Sequence, residues 1–338
     1  MDLPPGFIFN IQNTFREKGY AFLQALPDSI AEASARWGLT NIRPVPALSY
    51  NFVAFTTRTP RQRATGTVPS EPANHDRSAP CEVVLKMGVP NREFLSEMEA
   101  LRLFNGEGAC QLIDYDEEKY WMLLERLNPG GMLATLEDDE EATRIAAEVM
   151  KRIWRPLESA GSPADSKKGT SDRELAAGLH KFIRLTDWFD GLKRLRQQFN
   201  GGTGPLDEKL VQRAERSTSE FFLESHNPVL MHGDFHHYNI LSSGRGWLII
   251  DPKGVIGPAG YEVGPLLMNP WGDLSDRPDI QPITKRRIDI LHEHLGFERE
   301  RIREWALAHA VLSAWWGIES NTGWEYSLAM AEMLAGLY

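Results

Sequence analysis

The chain has 338 residues, of which 42% are hydrophobic and 25% charged, a balance typical of a globular protein with one large domain or two lobes. The formal net charge of −10, without a basic stripe, argues against nucleic acid as a partner. No apolar stretch reaches the ~18 residues that a membrane helix needs, and the first residues lack a signal-peptide pattern. Two cysteines, Cys81 and Cys110, are too few for a disulfide framework, so we expect a reducing, cytoplasmic setting.

The first third of the chain is predicted to be rich in strands. A helix over 14–38 is expected to be interrupted near Pro27 and to end at Gly38. The polar stretch 59–80 reads as a long, mobile insertion. Asn91 is placed to cap the next helix. Four strands are predicted here, at 49–58, 81–87, 110–116 and 119–127.

Long helical patterns dominate after about residue 130. They cover 138–160, 172–199, 206–225, 283–295, 299–318 and 323–337. The change of character near 125–131 predicts an α+β fold of two unequal lobes with the active site in a cleft between them. The predicted lobes are a small antiparallel-sheet lobe over 1–126 and a larger helical lobe over 127–338.

One stretch interrupts the helical patterns, "MHGDFHHYNILSSGRGWLIIDPKG" at 231–254. A zinc site could use its clustered histidines, but the H-E-x-x-H spacing and a cysteine pair are missing. A nucleophilic hydrolase would need a G-x-S-x-G motif nearby, or a cysteine beside a histidine, and neither occurs. A buried turn explains the apolar runs "PVLM" and "WLII" but not the acid that ends the second run.

The spacing of this stretch fits a phosphoryl-transfer centre better. A kinase catalytic loop reads H-x-D-x-x-x-x-N, and a second Asp follows at the end of a strand. His232, Asp234 and Asn239 match the loop, and Asp251 ends "WLIID". Such a loop supplies a carboxylate for the acceptor hydroxyl and oxygen ligands for Mg²⁺. The Phe-Gly that follows the second Asp in protein kinases is absent, which weakens a protein-kinase assignment.

The partners of this loop are expected upstream. Lys86 in "EVVLKMG" takes the place of the strand lysine that contacts nucleotide phosphates. In the helix over 91–105, Glu97 lies ~45° from the centre of the apolar stripe and is the better partner for Lys86. Glu99 lies ~155° away and is expected to be a solvated charge, while Glu93 stays an alternative.

The turn predicted to bind the nucleotide phosphates lacks the glycines that are typical of kinases. The turn "RPVPALSYN" over 43–51 has no glycine, which leaves its backbone and Ser49 as candidate phosphate donors. The backbones of Glu125 and Leu127, in "MLLERLNP", are the candidates for contact with adenine.

The segment "HGDFHHYNIL" resembles the catalytic loop of the aminoglycoside phosphotransferases, in the protein-kinase-like superfamily, and more finely the streptomycin 6-kinase and hydroxyurea phosphotransferase branch. Five further segments resemble that branch, at 26–39, 97–116, 122–133, 250–270 and 303–320. The resemblance implies a cytoplasmic resistance enzyme that transfers the γ-phosphate of ATP, with Mg²⁺, to a small-molecule hydroxyl. It assigns Asp234 as the base, Asn239 and Asp251 as metal ligands, and Lys86 as the phosphate-binding lysine. His232 and His236 are expected to support the loop.

A cationic acceptor would need carboxylates and aromatic surfaces on the helical lobe. The candidates are Asp190, Glu262, Asp273, Glu319 and Glu325, with Trp188, Trp271 and Trp316. Each has an ordinary alternative, because helix acids are usually solvated and tryptophans at helical spacing are usually core.

Three functions stay open from the sequence. They are a streptomycin- or hydroxyurea-type kinase, a same-fold kinase of another hydroxyl such as a sugar or amino alcohol, and a non-catalytic ATP-binding module. The complete set of nucleotide, base and metal candidates counts against the last. We expect a monomer or weak dimer with no membrane partner.

Overall fold

The computed structural model describes residues 2–59, 80–157, 179–270 and 279–337. The chain divides into two compact units, Met1–Phe94 with Gln111–Arg126 (unit 1) and Leu95–Cys110 with Leu127–Tyr338 (unit 2). Residues 95–110, assigned to the first lobe from the sequence, group with unit 2, and the end of this segment pairs with one strand of that unit. The N–H of Cys110 donates to the carbonyl oxygen of Ile249 at 2.9 Å.

Unit 1 begins with the long helix α1, Pro5–Trp37. The helix starts earlier than the predicted 14–38, and its break falls at Arg16, where φ is 51°, rather than near Pro27. It ends at Gly38, as predicted, because glycine adopts the left-handed conformation there, with φ at 68°.

The sheet of unit 1 has five antiparallel strands in the order β1-β2-β3-β5-β4. They are β1 Leu39–Pro44, β2 Asn51–Arg58, β3 Cys81–Gly88, β4 Leu112–Asp116 and β5 Trp121–Glu125. Apolar residues of the sheet, among them Phe52, Leu85 and Leu123, share one buried cluster with Phe7 and Ile11 of α1. The four predicted strands are thus confirmed, three of them with trimmed ends and β3 longer by one residue, whereas β1 was missed.

The missed strand lies just before the predicted turn over 43–51 and takes up its first two residues. β1 pairs with β2, so the turn itself shortens to residues 45–50. β1 ends in a proline and shows no clear alternation of apolar residues, which hid it from pattern analysis. Most of the predicted insertion, residues 60–79, lies outside the described residues.

Unit 2 is built mainly from helices; α2 starts in unit 1 and continues into it. The helices are α2 Arg92–Phe104, α3 Asp139–Ile153, α4 Leu185–Gln198, α5 Glu208–Glu224, α6 Val263–Leu267, α7 Ile280–Leu295, α8 Arg299–Glu319 and α9 Glu325–Ala335. Asn91 caps α2 as predicted, since its Oδ1 accepts the N–H of Phe94 at 2.9 Å. Helix α8 is buried on most of its faces and is central to this unit. No helix among the described residues has the length and apolar character to cross a membrane.

Two small sheets complete unit 2, with strand orders β11-β10-β6 and β7-β9-β12-β8. Their strands are β6 Pro129–Met132, β7 Arg155–Pro156, β8 Ile183–Arg184, β9 Val229–Met231, β10 Ile240–Ser243, β11 Gly246–Ile249 and β12 Val255–Gly257. β9 and β11 contain most of the apolar runs "PVLM" and "WLII" that flank the loop in the sequence. β7 and β8 replace parts of the helices predicted over 138–160 and 172–199, because two-residue strands leave no periodic signal. Residues 158–178 lie outside the described part.

Candidate active site

The predicted catalytic loop connects two short strands of unit 2. Strand β9 ends at Met231, and a 3₁₀ turn over His237–Asn239 leads into β10. Gly233 has a φ of 88°, and a Cβ there would lie 2.3 Å from a methyl carbon of Val255. Glycine suits both the positive φ and the close packing. The chain can therefore turn sharply just before Asp234.

His232 holds the shape of this loop. Its Nε2 lies 3.0 Å from the carbonyl oxygen of Ile250, and its Nδ1 accepts the N–H of Asp234 at 3.1 Å. A proton on Nε2 satisfies both contacts. Burial lowers the pKa of His232 to about 4, so the ring is neutral at neutral pH. With both nitrogens engaged, His232 has no lone pair for a zinc ion, which removes one ligand from the zinc interpretation.

Glu262 holds the same loop from the other side. The N–H of Gly233 donates to its Oε1 at 2.7 Å, and the N–H of His232 donates to its Oε2 at 3.2 Å. Burial, aided by the charge of Asp234, raises the pKa of Glu262 to about 8, while the two N–H groups oppose that shift. The side chain is fully buried. Glu262, predicted as an acceptor contact, is therefore assigned to the support of the loop.

The Asp234 carboxylate is reachable from solvent, since 40% of its side chain is exposed. Burial alone would raise the pKa of Asp234, but His236, Lys253 and His232 hold it well below its usual range. Its Oδ1 lies 3.6 Å from Nε2 of His236, a distance of electrostatic contact rather than of a hydrogen bond. Asp234 is therefore an ionised acceptor that can take a hydrogen bond from a hydroxyl group.

Asn239 is oriented by its amide nitrogen. Nδ2 donates to the carbonyl oxygen of Asp234 at 3.0 Å and lies 3.2 Å from Nε2 of His236. Within the described residues, Oδ1 of Asn239 accepts no hydrogen bond. The amide oxygen is therefore the atom left for a metal ion. The next histidine, His237, is buried, with its ring in the core.

Two backbone hydrogen bonds fix the segment of Asp251 against this loop. The N–H of Ile250 donates to the carbonyl oxygen of Asn239 at 2.9 Å, and the N–H of Lys253 donates to that of His232 at 2.7 Å. Asp251 follows β11 with a φ of 56°, and its Oδ2 lies 3.2 Å from Nζ of Lys253. The loop and the second acid, 17 positions apart from Asp234 to Asp251, thus share one site in unit 2.

These donors fit the Mg²⁺ that the resemblance implies. Asn239 offers an amide oxygen and Asp251 a partly exposed carboxylate, and hard Mg²⁺ prefers oxygen ligands. Mg²⁺ is commonly held by one or two protein groups together with phosphate oxygens and water. The sequence did not single out Lys253, although its distance of two residues from Asp251 was visible.

Helix α2 contacts the segment that follows Asp251. The hydroxyl of Ser96 donates to the carbonyl oxygen of Gly254 at 2.7 Å. Gly254 has a φ of 64°, and a Cβ there would lie 2.5 Å from the carbonyl oxygen of Ser96. Glu97, the next residue of α2, is buried.

The other acids of α2 differ from each other. Glu99 is buried and pairs with Arg102, with Oε1 at 2.7 Å from Nη2, so the expectation that it is a solvated charge is wrong. The angular argument placed it away from the apolar stripe and did not consider Arg102, three residues further along the helix. Glu93 is exposed.

Four further residues were predicted to contact the nucleotide. In unit 1, Lys86 is buried in β3, in register with Val53 of β2 and Met122 of β5. Ser49 is exposed in the turn between β1 and β2. The N–H of Glu125 already donates to the carbonyl oxygen of Gln111 at 2.9 Å and is not available to a nucleotide. Leu127 is buried at the start of unit 2.

Two of the acids predicted to bind the acceptor substrate form ion pairs with basic side chains. Glu319 accepts from Nε and Nη2 of Arg194 at 2.7 and 3.3 Å. Asp190 pairs with Lys193 at 2.7 Å, and 52% of its side chain is exposed. A cationic acceptor would have to compete with these partners. Glu325 is exposed on α9, while Asp273 and Trp271 lie outside the described residues.

Four rings form a contiguous group beside the catalytic loop, which we call the aromatic wall: Trp188, Tyr261, His309 and Trp316. A Cβ on Gly233 would lie 3.1 Å from the ring of Trp188. Trp188 contacts Tyr261 and Trp316, with ring centroids 6.0 and 5.4 Å apart, and His309 contacts Trp316 at 6.2 Å. Both tryptophans are partly exposed. The sequence named the tryptophans but missed Tyr261 and His309, although His309 lies seven residues from Trp316 on one helix face.

Comparison with known proteins gives the same picture. A model of the family described as aminoglycoside/hydroxyurea antibiotic resistance kinase matches residues 63–165 and 173–321. The chain is 28% identical over 328 residues to the streptomycin 6-kinase of Streptomyces glaucescens. The alignment covers 95% of this chain and 92% of that protein. It is 30% identical over 328 residues to the hydroxyurea phosphotransferase of Kitasatospora aureofaciens, covering 94% of this chain and 81% of that protein.

A solved structure shows the shared fold. The ternary complex of a thermostable variant of aminoglycoside phosphotransferase APH(4)-Ia with ADP and hygromycin B has a TM-score of 0.53 at 11% identity, covering 91% of this chain and 96% of that chain. The predicted α+β, protein-kinase-like fold class is confirmed.

The family model and the curated relatives identify a phosphotransferase that acts on hydroxyl groups. The chain belongs to the aminoglycoside/hydroxyurea antibiotic resistance kinase family. The resemblance inferred from "HGDFHHYNIL" is thereby confirmed.

Proposed function

We propose that the protein transfers the γ-phosphate of ATP, with Mg²⁺, to a hydroxyl group of a streptomycin-like aminoglycoside or of hydroxyurea. The observation that carries the proposal is the arrangement of the catalytic loop. Asp234 is ionised and reachable, the free amide oxygen of Asn239 is held beside it, and Asp251 is tied to the same loop. The substrates named for the two curated relatives support the choice of acceptor.

Asp234 would orient the acceptor hydroxyl by accepting its hydrogen bond. The hydroxyl oxygen forms a bond to the γ-phosphorus while the bond from that phosphorus to the ADP oxygen breaks. The hydroxyl proton passes to Asp234 late, because the transition state of phosphoryl transfer is loose. Mg²⁺, when bound, neutralises phosphate charge, and Asn239 and Asp251 would be its protein ligands.

On the nucleotide, Lys86 would contact the phosphates, with Glu97 as its partner. Ser49 would donate from the turn between β1 and β2, and the backbone near Leu127 would meet adenine. The N–H of Glu125 is excluded from that role by its bond to Gln111. We propose a reducing, cytoplasmic setting for this activity, because two cysteines, Cys81 and Cys110, are too few for a disulfide framework.

The test is an ADP-release assay with Mg²⁺-ATP against streptomycin, hydroxyurea, other aminoglycosides, sugars and amino alcohols. We expect turnover with streptomycin or hydroxyurea, and a loss of about 10²- to 10⁴-fold in kcat for Asp234→Asn with ATP binding retained. Turnover confined to a sugar or an amino alcohol would reject the proposed acceptor but keep the kinase. Equal turnover in Asp234→Asn would reject Asp234 as the base.

A further inference from the structure

The buried pair of Tyr261 and His309 has no part in the chemistry described so far. The hydroxyl oxygen of Tyr261 lies 2.9 Å from Nδ1 of His309. Tyr261 is fully buried, and His309 is nearly so. Burial raises the pKa of Tyr261 well above its usual value, so its hydroxyl keeps its proton.

The position of that proton decides the tautomer of His309. Within the described residues, the hydroxyl of Tyr261 contacts no hydrogen-bond acceptor other than Nδ1 of His309. If Nδ1 carried the proton, the buried tyrosine proton would have no acceptor, which costs about 1–3 kcal/mol. The favoured arrangement has Tyr261 donating to Nδ1, so His309 carries its proton on Nε2.

The Nε2 atom of His309 is not used by a protein hydrogen bond in the part of the chain that the structure describes. It is also not among the polar atoms sealed from solvent without a partner. Burial lowers the pKa of His309 to about 4, against the opposing charge of Asp234, so the ring presents an uncharged N–H donor at neutral pH.

The position of His309 is rigidly defined. Its ring makes edge-to-face contacts with Tyr261 and Trp316, with ring centroids 5.5 and 6.2 Å apart. A Cβ on Gly264 would come within 2.6 Å of Cβ of His309, so α6 packs directly against this turn of α8. The donor is therefore held at one end of the aromatic wall, whose other end touches the catalytic loop at Gly233.

We propose that His309 is a specificity-determining residue of the acceptor site. Its Nε2–H donates a hydrogen bond to a hydroxyl or carbonyl oxygen of the acceptor, which lies along the aromatic wall with its reacting hydroxyl at Asp234. Tyr261 is the positioning residue that keeps the donor tautomer. An uncharged donor recognises oxygen without repelling a cationic acceptor. The inference deepens the proposed function and rests on it for the identity of the acceptor.

The first test measures acceptor recognition in the full-length protein. Steady-state kinetics and calorimetry with streptomycin and with hydroxyurea compare wild type, His309→Ala and His309→Gln, whose amide keeps a donor. We expect His309→Ala to raise the acceptor KM and Kd about 3- to 10-fold, the loss of one hydrogen bond, with the KM for ATP unchanged. His309→Gln should stay within about 2-fold of wild type if its amide retains the bond.

Two controls separate recognition from damage to the fold. His226→Ala removes an exposed histidine and should leave all constants unchanged. Thermal unfolding of each variant shows whether it is folded. Unchanged acceptor constants in a folded His309→Ala would overturn the inference, as would equal losses in His309→Ala and His309→Gln.

The second test needs no acceptor. Nitrogen-15 NMR of the imidazoles in the ligand-free protein, with His309→Gln used for assignment, reports which nitrogen holds the proton. We expect Nε2–H in wild type and a mixture of tautomers in Tyr261→Phe. An Nδ1–H tautomer in wild type would overturn the inference whatever the substrate is, whereas a lack of turnover with streptomycin and hydroxyurea would count against the proposed function alone.

Discussion

The N–H of Gly233 donates to Oε1 of Glu262 at 2.7 Å, and this bond joins the catalytic loop to the segment that carries part of the aromatic wall. Glu262 holds the loop, while the residue before it, Tyr261, holds His309. One dipeptide thus fixes both the base that would receive the proton and the donor that would recognise the acceptor. A shift of this dipeptide would disturb both at once.

Replacing the loop support should destabilise the protein. In Glu262→Gln the amide oxygen can accept one of the two N–H groups, while the NH₂ group faces the other. We expect a loss of about 1–3 kcal/mol in the free energy of unfolding, measured by urea denaturation, and a lower kcat. Glu293→Gln is the matched control, because Glu293 is exposed. A stability equal to wild type would show that the two N–H bonds do not hold the loop.

The contact between Ser96 and Gly254 predicts a sharp response to one methyl group. Gly254→Ala introduces a Cβ at a φ of 64° and within 2.5 Å of a backbone oxygen. We expect a loss of at least ~2 kcal/mol in unfolding free energy, from the left-handed conformation and the clash. Gly244→Ala, which meets open space, should stay near wild type. Equal unfolding free energies for both variants would show that α2 moves away from the added methyl group without a measurable cost.

Substitution of Lys86 should weaken nucleotide binding and leave acceptor binding unchanged. Lys86→Met keeps a buried unbranched side chain, one atom shorter, and removes its charge. We expect the Kd for Mg²⁺-ATP, measured by calorimetry, to rise about 10- to 100-fold, since hydrogen bonds to charged groups are strong. The acceptor affinity without nucleotide should not change. Lys18→Met, on the exposed side of α1, is the control, and an unaltered ATP affinity in Lys86→Met would remove this lysine from the site.

The buried histidines predict a loss of stability in acid. Burial lowers the pKa of His232 and of His309 to about 4, from an ordinary value of 6.5. Between those values the unfolded chain binds more protons than the folded chain, so the free energy of unfolding falls as the pH falls. Each histidine contributes up to ~1.4 kcal/mol per pH unit. Urea denaturation of His309→Gln should show a shallower decline from pH 6.5 to 4, and an identical decline would argue that His309 is not held neutral.

The catalytic loop was predictable because its chemistry is local in sequence. The spacing of His232, Asp234 and Asn239, and the strand that ends near Asp251, fix the loop without knowledge of distant contacts. The partners that support it are not local. Glu262 is 29 residues from Gly233, and Tyr261 is 48 residues from His309, separations at which no pattern reports contact.

The helices and strands, too, were predictable where their signal is local in sequence. Helices with a long apolar stripe were found, because periodicity accumulates over many residues. The strand β1, the two-residue strands β7 and β8, and the early start of α1 were missed because tertiary pairing, not local propensity, defines them. The ion pair of Glu99 with Arg102 was missed for a different reason: its three-residue spacing was visible in the sequence, but only the angular position of Glu99 was weighed.

The bond between Ser96 and Gly254 has a mechanical consequence. The hydroxyl of Ser96 binds α2 to the carbonyl oxygen of Gly254, in the segment that follows Asp251. The absence of a side chain at Gly254 lets the two backbones pack closely. The position of α2 at Ser96 and the position of the segment three residues after Asp251, the candidate metal ligand, are therefore coupled through one hydrogen bond.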